Sequence, residues 1–109
     1  MILHTIKQVY ATLYQTGNKL SKRNKLGIHA ELERIALLTL SDITTASLSP
    51  KLQKQVPLNR ARTSLEVLKH LVRTEYELKI IDQKIYLHTE GLLIETSKQL
   101  NGWLKSLQT

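Results

Sequence analysis

The chain predicts an all-α protein, an antiparallel up-down-up-down four-helix bundle, on three observations. Apolar residues recur at alternating three- and four-residue spacings in four segments of roughly twenty residues each. Only two Pro and four Gly interrupt 109 residues, too few for a turn-rich β fold. No segment sustains the period-two alternation of a strand. At this length one domain over residues 1–109 is expected. A hydrophobic content of 41% supports a packed core. With no Phe in the chain, Leu and Ile must fill it.

The first helix is expected over 2–20, with Ile2, Ile6, Val9, Tyr10, Leu13, Gly17 and Leu20 on one stripe. Ser21 to Asn24 then read as a loop. The second helix is expected over 25–46. Leu32, Ile35, Ala36, Thr39, Ile43 and Ala46 form its stripe, which Leu37, Leu38 and Leu40 widen. Pro50 ends it, because a proline cannot continue the helix and biases the preceding Ser49 away from helical angles. Residues 49–57 form the longest connection, closed by Pro57. The third helix is expected from Leu58, with Ala61, Leu65, Leu68, Val72 and Tyr76 facing inward. Asp82 suits the N-cap of the fourth. That helix carries Ile85, Tyr86, Thr89, Leu92, Leu93, Thr96, Leu100, Trp103 and Leu107 inward.

Several classes are disfavoured at once. Without Cys there is no disulfide framework, thiolate zinc site or thiol nucleophile; this is compatible with a reducing compartment, and a cytoplasmic location is expected. Met1 to Lys7 lack a basic region followed by a long apolar run, so no secretory signal is expected there. No apolar stretch approaches the roughly 20 residues of a membrane span, so no membrane partner is expected.

Charge is the most informative pattern. The chain has 16 Lys plus Arg against 9 Asp plus Glu. Neither the first thirty residues nor 43–65 contain an acid. Lys19, Lys22, Arg23 and Lys25 therefore cluster at the connection after the first helix, with Lys84 joining them in an antiparallel bundle. Lys51, Lys54, Arg60 and Arg62 form a second basic pole at the opposite end. Arg60 and Arg62 at the start of a helix oppose the macrodipole, which favours acids there. Arg73 is a further candidate, with an ion pair to Glu77 as its simpler reading. Clustered cations of this kind can neutralise phosphates or meet an acidic partner.

Catalytic signals are weak. His29 with Glu33 and Glu66 with His70 have helical spacing and read as solvent-facing pairs. The paired Glu-x-x-His pattern of dimetal bundles is absent. There is neither a Gly-x-Ser-x-Gly elbow nor a glycine-rich phosphate loop. Glu31/Glu33 and Glu75/Glu77 read as solvated faces. No enzyme activity, cofactor or metal is expected. The Tyr residues and Trp103 do not interleave with the basic clusters, so base stacking has little support in the sequence. Tyr14, off the main stripe, is the expected interface residue.

The order of these features carries a resemblance. Lys22-Arg23-Asn24-Lys25-Leu26-Gly27 opens the second helix. Arg60-Ala-Arg-Thr-Ser-Leu-Glu-Val-Leu-Lys69 is followed by Leu71-Val72-Arg73, then by Leu78-Lys-Ile-Ile-Asp82 and Tyr86. The chain closes with Ile94-Glu95-Thr-Ser-Lys98 and Leu100-Asn-Gly-Trp-Leu-Lys105. Over nearly its whole length the chain resembles the four-helix-bundle family of the accessory variability determinant (Avd) of diversity-generating retroelements. It is similar, more distantly, to the bundle proteins encoded in intervening sequences of bacterial 23S ribosomal RNA genes. The resemblance implies a non-catalytic, homopentameric, basic barrel that binds a reverse transcriptase and RNA or DNA in support of mutagenic retrohoming. The alternative it leaves open is a structural or protein-interaction bundle with no specific nucleic-acid role.

Overall fold

Every apolar stripe named above needs a facing surface, and the computed structural model, which describes residues 1–108, supplies it with helices alone. The last residue of the expected domain, Thr109, lies outside the described residues. Among the described residues there is no strand. Four long helices, α1 (Ile2–Gly17), α3 (Ile28–Leu48), α4 (Gln55–Glu77) and α5 (Gln83–Ser106), pack in a ring in which α1 meets α3 and α5, and α4 meets α3 and α5. The short helix α2 (Lys22–Leu26) packs on α3, and a 3-10 turn, Lys51–Gln53, precedes α4. The globule measures 46 × 21 × 19 Å. At 1.5 Å of rise per residue, the 24 residues of α5 span most of that length.

The core follows the predicted stripes. Ile6, Val9 and Leu13 of α1 meet Leu32, Ala36, Ile43 and Ala46 of α3, Leu58, Ala61, Leu65, Leu68 and Val72 of α4, and Leu93, Leu100 and Leu104 of α5. Thr39 and Thr96 lie in the same core without an unmet hydroxyl. Thr39 Oγ1 donates to the Ile35 carbonyl at 2.8 Å, and Thr96 Oγ1 to that of Leu92 at 2.7 Å. This return bond within one helix lets a polar side chain take a buried stripe position at little cost.

The helix ends depart from expectation in physically readable ways. Helix α1 stops at Gly17, not Leu20. The segment expected as a loop is α2, because Ser21 caps it: its backbone is extended and its hydroxyl accepts from the Asn24 N–H. Gly27 separates α2 from α3, and a Cβ there would lie 2.9 Å from the Arg23 carbonyl oxygen, so only glycine fits this turn. Helix α4 starts at Gln55 rather than Leu58. Pro57 is therefore inside its first turn, where the missing N–H would have had no helical partner. Asp82 caps α5 as expected, its Oδ1 accepting from the Ile85 N–H at 2.9 Å.

Helix α4 ends in a Schellman motif built on a lysine. Ile80 N–H bonds the Glu75 carbonyl at 2.8 Å, and Lys79 N–H bonds that of Tyr76 at 3.0 Å. Lys79 holds φ 62°, the left-handed conformation that glycine usually supplies at this place.

Candidate functional site

The two basic poles differ in what their charges do. At the second, the cations are largely engaged. Lys54 Nζ donates to the carbonyls of Ala46 at 2.7 Å and Ser47 at 3.4 Å, capping the end of α3, and lies 5.9 Å from the Trp103 ring centre. Arg60 pairs with Asp42 of α3 at 3.2 Å. That acid stands one position outside the acid-free window, so the sequence pattern hid it. Lys51, in the 3-10 turn, is exposed and also has an interaction partner. Arg62 does not join these residues. It lines a groove between α4 and α5 with Glu66, Lys69, Ser97 and Asn101. Two helical positions apart, Arg60 and Arg62 point to opposite sides of α4. The macrodipole argument also falls, since α4 begins five residues before Arg60.

Arg73 forms the ion pair its spacing suggested, 3.5 Å from Glu77. It lines a groove with Glu66, His70, Tyr86 and Glu90. Both partners of that ion pair are exposed, so it adds little stability.

The first pole is different. Lys19, Lys22, Arg23 and Lys25 are all exposed, and none has an ion-pair partner among the described residues. Lys19 lines one cleft with Lys79 and a second with Lys84. The sequence pattern points to Lys84 but not to Lys79. The nearby Asp82 commits one oxygen to capping α5. Tyr76 lines the cleft of Lys19 and Lys79, which corrects the expectation that no aromatic ring accompanies the basic residues. Its ring stacks on Tyr86 with centres 4.6 Å apart and planes within 7°. Hydrogen bonding to Glu90 raises the Tyr86 pKa above its ordinary value.

Behind this pole lies a buried polar centre. His29, expected in a solvent-facing pair, is fully buried, as is Glu75, expected on a solvated face. His29 Nδ1 lies 2.8 Å from Glu75 Oε2, and Nε2 lies 2.6 Å from the Leu13 carbonyl oxygen. The partly exposed Glu33 places Oε2 3.6 Å from Nε2. A carbonyl only accepts, so Nε2 carries a proton; with Glu75 ionised, Nδ1 carries one too. Burial opposes a charged ring here. Hydrogen bonds to Glu75 and Leu13, with the charges of Glu75 and Glu33, outweigh it and raise the His29 pKa. Gly17 makes the room: a Cβ there would lie 3.0 Å from both His29 Cδ2 and Glu33 Oε2. With both ring nitrogens engaged, the centre joins α1, α3 and α4 rather than offering a ligand. Among the described residues no group of three His, Asp or Glu is arranged to hold a metal ion. None of the helices described is long and apolar enough to cross a membrane.

No protein-family model matches this sequence, and no curated protein matches it.

Proposed function

We propose that this chain is a non-catalytic accessory protein of a diversity-generating retroelement, working in the cytoplasm and binding a reverse transcriptase and RNA or DNA to support mutagenic retrohoming. The protein would act as an antiparallel up-down-up-down bundle assembled into a homopentamer. The antiparallel order is supported by two side-chain contacts: His29 near the start of α3 reaches the Leu13 carbonyl late in α1, and Arg60 early in α4 reaches the Asp42 carboxylate late in α3.

The observation that carries the nucleic-acid part is the first pole, where Lys19, Lys22, Arg23 and Lys25 are exposed and have no acidic partner among the described residues. Such a surface gains affinity by releasing phosphate counterions, which needs no base recognition. The test is RNA binding across a salt series. Replacing Lys19, Lys22, Arg23 and Lys25 with Glu should abolish binding, while Arg60→Gln should leave it nearly unchanged. A folded quadruple variant that binds with unchanged salt dependence would refute the assignment.

A second reading is a protein-interaction bundle without a specific nucleic-acid role. Leu37 and Leu38 on α3, and Leu87 and Ile94 on α5, are exposed large apolar side chains, the kind of surface that association covers. Light scattering with and without a structured RNA separates the two. A pentamer that grows with RNA at low salt supports the first reading, and a particle indifferent to RNA supports the second.

A further inference from the structure

The cleft between the end of α1 and the α4–α5 connection brings cations, an aromatic ring and apolar surface together beside the first basic pole. It measures about 570 Å³, within the range of roughly 300–1,000 Å³ typical of small-ligand pockets. Two cations, Lys19 and Lys79, line it from different segments. Tyr76 adds an exposed ring held by its stack on Tyr86, and Leu20, Ile80 and Ile85 add partly buried apolar surface. The left-handed turn at Lys79 follows Tyr76 by three residues, so the Schellman hydrogen bonds tie the cation and the ring to one rigid helix end. The single acid, Asp82, caps α5 through Oδ1, leaving Oδ2 with lone pairs for a base amine or ribose hydroxyl.

We propose that this cleft takes one nucleotide of a single-stranded nucleic acid, its base against Tyr76 and its phosphate between Lys19 and Lys79. This rests on the nucleic-acid reading above and adds to it a seat for an unpaired base. The chemistry matches sequence-tolerant single-strand binding, in which a basic track holds the backbone and an aromatic face holds the base. Charge complementarity continues beyond the cleft, since Lys22, Arg23 and Lys25 lie within six residues of Lys19, and Lys84 shares a second cleft with it. A duplex, with its bases paired and stacked, would not satisfy the ring.

The probe is a short labelled oligouridylate, compared with an abasic oligonucleotide of the same length and charge. The wild-type protein should bind the oligouridylate more tightly by about five- to a hundred-fold, the range associated with one stacked base. Tyr76→Leu should erase that preference while leaving abasic binding unchanged. Lys79→Gly suits the turn, and should weaken both ligands and lower the salt slope by about one. Equal binding of the two ligands by the wild type, or a preference surviving in Tyr76→Leu, would overturn the stacking proposal and leave the nucleic-acid reading standing. Failure to bind either ligand would overturn both. Should Tyr76→Leu unfold, photocrosslinking of the wild type to an oligonucleotide carrying 5-iodouridine decides the matter. An adduct on Tyr76 supports the cleft, and adducts confined to other residues overturn it.

Discussion

Replacing Glu75 with Gln should destabilise the protein and flatten a pH dependence that His29 imposes on it. In the folded chain His29 Nδ1 faces Glu75 Oε2 at 2.8 Å and Nε2 faces a carbonyl at 2.6 Å, so the ring keeps two protons only while Glu75 is ionised. Removing one partner of a buried pair costs about 3–5 kcal/mol. Gln keeps the size and can still accept from Nδ1, so the loss should fall to about 2–3 kcal/mol. The sign of the pH effect follows from the raised His29 pKa. The folded state holds a proton that the unfolded chain releases above about pH 6.5. The stabilisation is therefore full below that pH and is lost as pH rises through the folded pKa, by about 1.4 kcal/mol for each unit of separation. Urea unfolding followed by circular dichroism, at about pH 6 and about pH 9, should show the wild-type midpoint falling at unchanged slope. Glu75→Gln removes the charge of Glu75 and leaves burial, a neutral acceptor at Nδ1, the more weakly acting charge of Glu33 and the Leu13 bond, so the fall should shrink. A wild-type midpoint that rises with pH, or a variant that keeps the full fall, would refute the charged-pair assignment.

Three further outcomes follow from local geometry. Gly17→Ala should destabilise by about 1 kcal/mol despite the gain in helix propensity, because the new Cβ meets His29 and Glu33 at 3.0 Å and His29 is fixed by two hydrogen bonds; a higher urea midpoint would contradict this. Lys79→Gly should stabilise by about 0.5–1 kcal/mol, since glycine takes a φ of 62° without steric cost; thermal unfolding reads the difference. Lys54→Met should cost about 1 kcal/mol by uncapping the Ala46 and Ser47 carbonyls, and amide exchange should quicken at the end of α3.

The elements legible in the sequence were those governed by local periodicity and capping. Leu58, Ala61, Leu65, Leu68 and Val72 are buried as their spacing demanded, and Asp82 caps α5. The candidate site was read less well, because its chemistry depends on partners far apart in the chain. His29 and Glu75 are separated by 46 positions, and helical spacing offered only Glu33. A signal was nevertheless present. Glu75 lies three residues beyond Val72 and seven beyond Leu68, and His29 lies three before Leu32, so both continue the apolar stripes of their helices. An ionisable residue in stripe register should prompt a search for its counterpart on a neighbouring helix. Gly17, also on a stripe, marked where two helices approach closely. Arg60 escapes the sequence pattern for the opposite reason. Its acidic partner was near in space, and a one-dimensional charge count stopped one residue short of it. Periodicity places Tyr76 inward, but it lies where α4 ends and its ring opens onto the cleft.

The placement of Trp103 has a practical consequence. It is the only tryptophan in the chain, and it lines a hollow with Met1, Ile2, Leu3, Ser47 and Lys54, near the beginning of α1, while the imidazole of His29 sits near that helix's end. About twenty ångströms of helix separate the two places. The fold thus carries a fluorophore at one extremity and a titrating ring visible by proton resonance at the other. If both signals change at one denaturant concentration, the globule melts as a single cooperative unit; if the fluorescence moves first, the terminus around Trp103 frays while the far end holds.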